Sequence, residues 1–156
     1  MKNQKLSLDD FFEDELSIGL VRVAIDIPEH ELFFAINKKN GLSFKRQDDL
    51  FLKKEFFQYQ HSRYQAYLRE NETCFDFISN KSIQSIKLKE INELFVEEEN
   101  INFLLPNLKD VDYILKSSDS YADFSVILLP EDLLFQIQEF KLNSQEELYQ
   151  IIQYYE

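Results

Sequence analysis

Few side chains in this chain could make or break bonds, and their spacing is poor for it. The histidines are His30 and His61, the one cysteine is Cys74, and no His-x-x-x-His pair occurs. Zinc takes three or four Cys or His ligands, or carboxylates at matching spacing. A Ser-His-Asp arrangement needs a positioned base and an oxyanion hole, and no Gly-x-Ser-x-Gly elbow is present. Gly19 and Gly41 stand alone, so a glycine-rich phosphate loop is excluded. In Asp9-Asp10 and Asp48-Asp49 the two carboxylates are adjacent and point apart, which suits caps and turns better than a shared proton. The runs Glu13-Asp14-Glu15 and Glu97-Glu98-Glu99 lack the alternating oxygens and the glycine of a Ca²⁺ loop, and read as solvated ends. Cys74, within Cys-Phe-Asp-Phe-Ile, reads as a small core side chain. His30, flanked by Glu29 and Glu31, reads as an exposed helix residue. No catalytic residue, metal or organic cofactor is expected.

Binding chemistry is better represented. Between positions 53 and 69, bases interleave with aromatics: Lys53, Lys54, Phe56, Phe57, Tyr59, Arg63, Tyr64, Tyr67 and Arg69. Exposed on a sheet, such residues stack unpaired bases while lysines meet phosphates, which is single-stranded RNA binding. The competing reading is that the rings pack a core and the charges lie on its wet face. Net charge weighs on the choice. The 156 residues carry a formal charge of −12, which repels phosphate backbones and disfavours nucleic acid. Residues 38–69 hold eight basic and three acidic residues, and the remainder nine basic and twenty-six acidic, so charge is strongly bipolar. With 15 Phe and 8 Tyr, some rings are left at the surface, where they suit protein interfaces. A non-enzymatic protein-interaction module is therefore the first expectation, with another protein or a second copy as partner. RNA binding through 53–69 is the alternative. The expected interaction surface is Lys53, Lys54, Tyr59, Arg63, Tyr67 and Arg69.

The elements that must position these residues read as one domain over 1–156. No apolar run follows the N-terminal lysines, and the longest, such as Val126–Leu129, falls far short of the ~20 residues that span a bilayer. One cysteine excludes an intrachain disulfide, so the expected address is the cytoplasm, with no membrane partner. Ser7-Leu8-Asp9-Asp10 has capping spacing ahead of Phe11 and Phe12. Ile18–Ile27 reads as a strand covered on both faces, with Gly19 marking a bulge or a close approach. A helix is predicted near 28–39. Asp26 is its cap, Pro28 its first turn, Leu32, Ala35 and Ile36 its buried face, and Gly41 its left-handed stop.

Leu42–Arg46 reads as a short strand. Phe56–Arg69 reads as a long extended stretch with a break near His61-Ser62. Glu70-Asn71-Glu72 reads as a turn, and Thr73–Ser79 as a strand with Phe75 and Phe77 on one face. Asn102–Leu105 and Val111–Lys116 read as strands. Phe124–Leu129 reads as a third, with a helix left open, and Ile83–Phe95 and 131–142 are left unassigned. A second helix is predicted near 145–155, capped by Ser144 with Glu147 in the capping-box position. The sum is an α+β domain with a mostly antiparallel sheet, and Leu32, Ile36, Phe77 and Tyr113 are expected in its core.

Several stretches also occur together in a familiar order: Lys5–Asp10, Leu32–Lys38, Gly41–Arg46, Phe77-Ile78-Ser79-Asn80-Lys81 and Val111–Lys116. In this order they resemble the IPExxVD family of small bacterial proteins, over roughly residues 5–116. Leu105-Pro106-Asn107 stands where Ile-Pro-Glu would be, and three residues rather than two precede Val111-Asp112. The family has no assigned function and no defined catalytic residues, so the resemblance implies a compact intracellular protein and transfers no site.

Overall fold

The computed structural model describes residues 15–54, 57–70, 72–87, 101–119 and 122–154. The strands are β1 (Glu15–Val21), β2 (Lys45–Lys54), β3 (Phe57–Leu68), β4 (Thr73–Ser79), β5 (Gln84–Lys87), β6 (Tyr113–Ser117) and β7 (Gln138–Asn143). The helices are α1 (Glu29–Asn40) and α2 (Glu147–Tyr154), with a 3-10 turn at Phe124–Val126. The strands form one open sheet in the order β2-β3-β4-β6-β1-β7, and every pairing is antiparallel. β5 runs on beyond β4 along the same side of β3.

A core lies on each face of this sheet. On one face, Leu32, Phe33 and Ile36 of α1 pack against Val21, Tyr64, Phe75, Phe77, Tyr113 and Leu115. The Phe33 ring stacks on Tyr64 with centroids 3.8 Å apart and meets Phe77 edge-on. On the other face, Leu148 and Ile152 of α2, with Leu104, Leu105 and Val111, cover Ile18, Leu20, Leu50, Ile78, Ile114 and Leu142. β1 thus buries both of its alternating sets, as its apolar sequence predicts. Leu32, Ile36, Phe77 and Tyr113 all lie in the core.

Gly19 is a close approach. A Cβ there would meet Ile137 Cγ2 at 2.7 Å. Gly41 ends α1 in the left-handed region at φ 66°, its N–H donating to the Asn37 carbonyl.

Other expectations shift. The α1 N-cap is Pro28, not Asp26, and it makes no side-chain cap. The Pro28 carbonyl accepts from Glu31 and Leu32 instead, and Glu29 and Glu31 face the positive helix end. α2 starts at Glu147, and the residue organising the turn before it is Asn143, whose side chain accepts the Gln145 N–H, rather than Ser144. β1 stops at Val21, because the Val23 N–H turns to the Asp112 carboxylate. The strand after Gly41 begins at Lys45 and runs to Lys54.

β3 is unbroken through His61-Ser62, and its neighbours carry the irregularities instead. β2 shifts register between Gln47 and Leu50, and the β3 partner strand breaks between Ser79 and Gln84. Asn102–Leu105 is loop with one bridge, Phe103 to Lys81. Phe124–Leu129 is not a strand, since the Asp123 carboxylate takes the Ser125 N–H and closes a turn. Cys74 is half-buried in β4 rather than core. The Ser7–Asp10 cap and the acidic run at 97–99 lie outside the described residues.

Candidate functional site

Strand alternation decides where the basic-aromatic segment points. Tyr59, His61, Arg63, Gln65 and Tyr67 share one face of β3, while Tyr64 turns to the other and stacks on Phe33. Tyr59 is 8% exposed and Tyr67 is 55% exposed. Lys54 Nζ donates to Asn102 Oδ1 at 3.0 Å and pairs with Glu147 at 3.1 Å. Arg63 lies 3.7 Å from Asp76. Lys53 and Arg69 are exposed, Lys53 near the end of β2 and Arg69 in the turn after β3. The six residues therefore do not form one platform, and Tyr67 is the ring they present to solvent.

Polar groups inside the fold form separate clusters. Glu29 Oε2 accepts from the Ser62 hydroxyl at 2.6 Å and from the Tyr113 hydroxyl at 2.8 Å, with Arg46 3.7 Å from Oε1. Burial, with Glu29 beside it, pushes the Tyr113 phenol far up, so it stays a proton donor. His61 is adjacent to Ser62 in sequence but faces the opposite side of the sheet. Its Nδ1 donates to the Ser79 carbonyl at 2.8 Å, and its Nε2 accepts from Asn102 Nδ2 at 3.1 Å. Burial lowers its pKa to about 4, so the ring is neutral at pH 7. In the first cluster the Glu29 carboxylate holds the hydroxyl of Ser62, a residue that is 0% exposed, and in the second His61 meets only a carbonyl and an amide.

Asp76 lies between β3 and β6, facing Arg63 and Lys116. Burial pushes its carboxyl up, against the pull of Arg63 and Lys116. Among the described residues, no three His, Cys, Asp or Glu side chains gather where they could hold a metal ion.

A surface groove of about 700 Å³ lies between the end of α1, the 122–137 segment and β7. Its floor is apolar: Phe124, Ile127 and Leu134 are buried there. Leu128 and Phe135 line it while 52% and 58% exposed. The backbone under these side chains is fixed. Asn40 Oδ1 accepts the Leu128 N–H and Asn40 Nδ2 donates to the Leu128 carbonyl, while the Phe135 N–H donates to the Arg22 carbonyl. Asp123, Glu131 and Glu139 also line the groove, with Lys39 the cation among them.

Sequence reading missed this site, because Phe124–Leu129 read as a strand and 131–142 was unassigned. The available signal was the pairing of apolar residues with Pro130 and Glu131-Asp132, which is turn chemistry.

No family model matches the chain, and no significant match is found among curated proteins or solved structures. No helix among the described residues is long and apolar enough to cross a membrane.

Proposed function

We propose that this chain is a single α+β domain that acts in the cytoplasm as a non-enzymatic interaction module, docking another protein, a second copy included, in the groove between α1 and β7. One observation carries the reading: Leu128 and Phe135 stand out of a groove on backbone that hydrogen bonds hold in place. Large exposed apolar side chains in a patch mark interaction sites, and a preformed patch loses little conformational entropy on binding.

Membership of the IPExxVD family is proposed on the motif residues alone.

The test is affinity capture from native lysate together with sedimentation, comparing the parent with the Leu128→Ser/Phe135→Ser double variant. The parent should retain a defined protein, or self-associate, and the variant should lose it at an unchanged melting temperature. A strictly monomeric parent that retains nothing beyond what the variant retains overturns the proposal.

A further inference from the structure

We infer that the occupant of the α1–β7 groove is a basic segment of a partner protein, whose apolar side chains lie against Leu128 and Phe135 while its Lys or Arg side chains meet Asp123, Glu131 and Glu139. This rests on the groove being a protein-docking surface and adds the chemistry of what docks.

Charge argues for it. Three carboxylates and one ammonium, from Lys39, line the groove. None of the three carboxylates has a cation within ion-pair distance among the described residues. Elsewhere three of the four arginines are engaged: Arg22 with Asp110, Arg46 with Glu29 and Asp49, and Arg63 with Asp76. The Ser125 hydroxyl and N–H donate to Asp123 Oδ1 and hold that carboxyl below the usual range, so it is ionised wherever proteins normally work. An apolar floor beside uncompensated negative charge attracts a segment that is apolar on one side and positive on the other, and repels an acidic one. The whole-chain charge of −12 steers the same partners towards the surface.

A displayed library of random dodecapeptides tests this on the full chain. Selection is run in parallel on the parent, on Leu128→Ser/Phe135→Ser and on Glu131→Lys/Glu139→Lys. The single variant Leu128→Ser replaces the first if it fails to fold. Peptides retained by the parent and lost by the Ser variant should be rich in Lys and Arg alongside Leu, Ile or Phe. For a synthesised representative, affinity should fall at least about tenfold on Glu131→Lys/Glu139→Lys and weaken with added salt. Groove-dependent peptides without basic enrichment, or with affinity unchanged by the Lys variant, overturn the inference and leave the docking surface standing. If no retained peptide depends on Leu128 and Phe135, both fall.

Discussion

Buried and half-buried polar side chains do much of the architectural work here, and three asparagines show how. Asn37 pairs with both backbone groups of Phe44, Asn40 with both of Leu128, and Asn80 with the Leu105 N–H and the Leu108 and Val111 carbonyls. An amide can donate and accept at once, so it substitutes for a strand neighbour where the sheet supplies none.

His61 does similar work with a titratable ring. Its Nε2 must accept from Asn102, whose Oδ1 is already held by Lys54, so a protonated ring would set two donors against each other. Its pKa of about 4 in the fold lies below the ordinary 6.5, so between these values the unfolded chain binds the extra proton. Stability is therefore lost as pH falls from 6.5 towards 4 and loses no more to this residue below 4. The whole effect is at most about 3 kcal/mol. Denaturant melts from pH 7 to 4 should show a steeper loss for the parent than for His61→Gln. Parallel profiles would refute the assignment.

Elements differ in how far their own residues specify them. α1 was legible because its signals are local: acids in the first turn, Lys38 and Lys39 in the last, and Gly41 at the stop. β4 was legible because Glu72, at φ 53°, closes a tight turn before it, and Phe75 and Phe77 alternate onto one core. α2 was legible from its apolar spacing.

The 101–112 stretch was not legible, because its shape comes from Asn80, more than twenty residues away in the chain. Apolar residues such as Leu104 and Leu105 read as strand, yet they descend into the second core from a loop. Asn80→Ala should cost about 3 kcal/mol, since it strips the buried Leu105 N–H and Val111 carbonyl of this partner and leaves the Leu108 carbonyl only the Val111 N–H. Chemical denaturation checks the size, and a loss under 1 kcal/mol would mean that the loop is held by its apolar side chains instead.

At the scale of the molecule, the sheet order puts β1 between β6 and β7, so the first described strand ties distant parts of the chain together. The two cores share this sheet and no other layer. If the chain is one cooperative unit, Phe77→Ala on one face and Ile114→Ala on the other should each lower a single unfolding transition, by about 2–5 kcal/mol. Two transitions under calorimetry, one per core, would show two units. The bipolar charge that the sequence displays is partly consumed in the fold: Arg46, Lys54 and Arg63 of the basic segment all have acidic partners. Around the groove, the three carboxylates of Asp123, Glu131 and Glu139 stand against the one ammonium of Lys39, so the balance there is acidic.

Periodicity and punctuation in the sequence by itself determined the two helices, the both-faces-buried character of β1, the core positions Leu32, Ile36, Phe77 and Tyr113, and the poverty of bond-making residues. These depend on neighbours within a few positions, where sterics and hydrogen bonding act along the chain. Tertiary structure alone decided which aromatics stay wet, where the basic residues find partners, and that Leu128 and Phe135 share one groove. Those outcomes hang on contacts across dozens of residues, such as Asn40 with Leu128 and Arg22 with Phe135, and no local pattern encodes them.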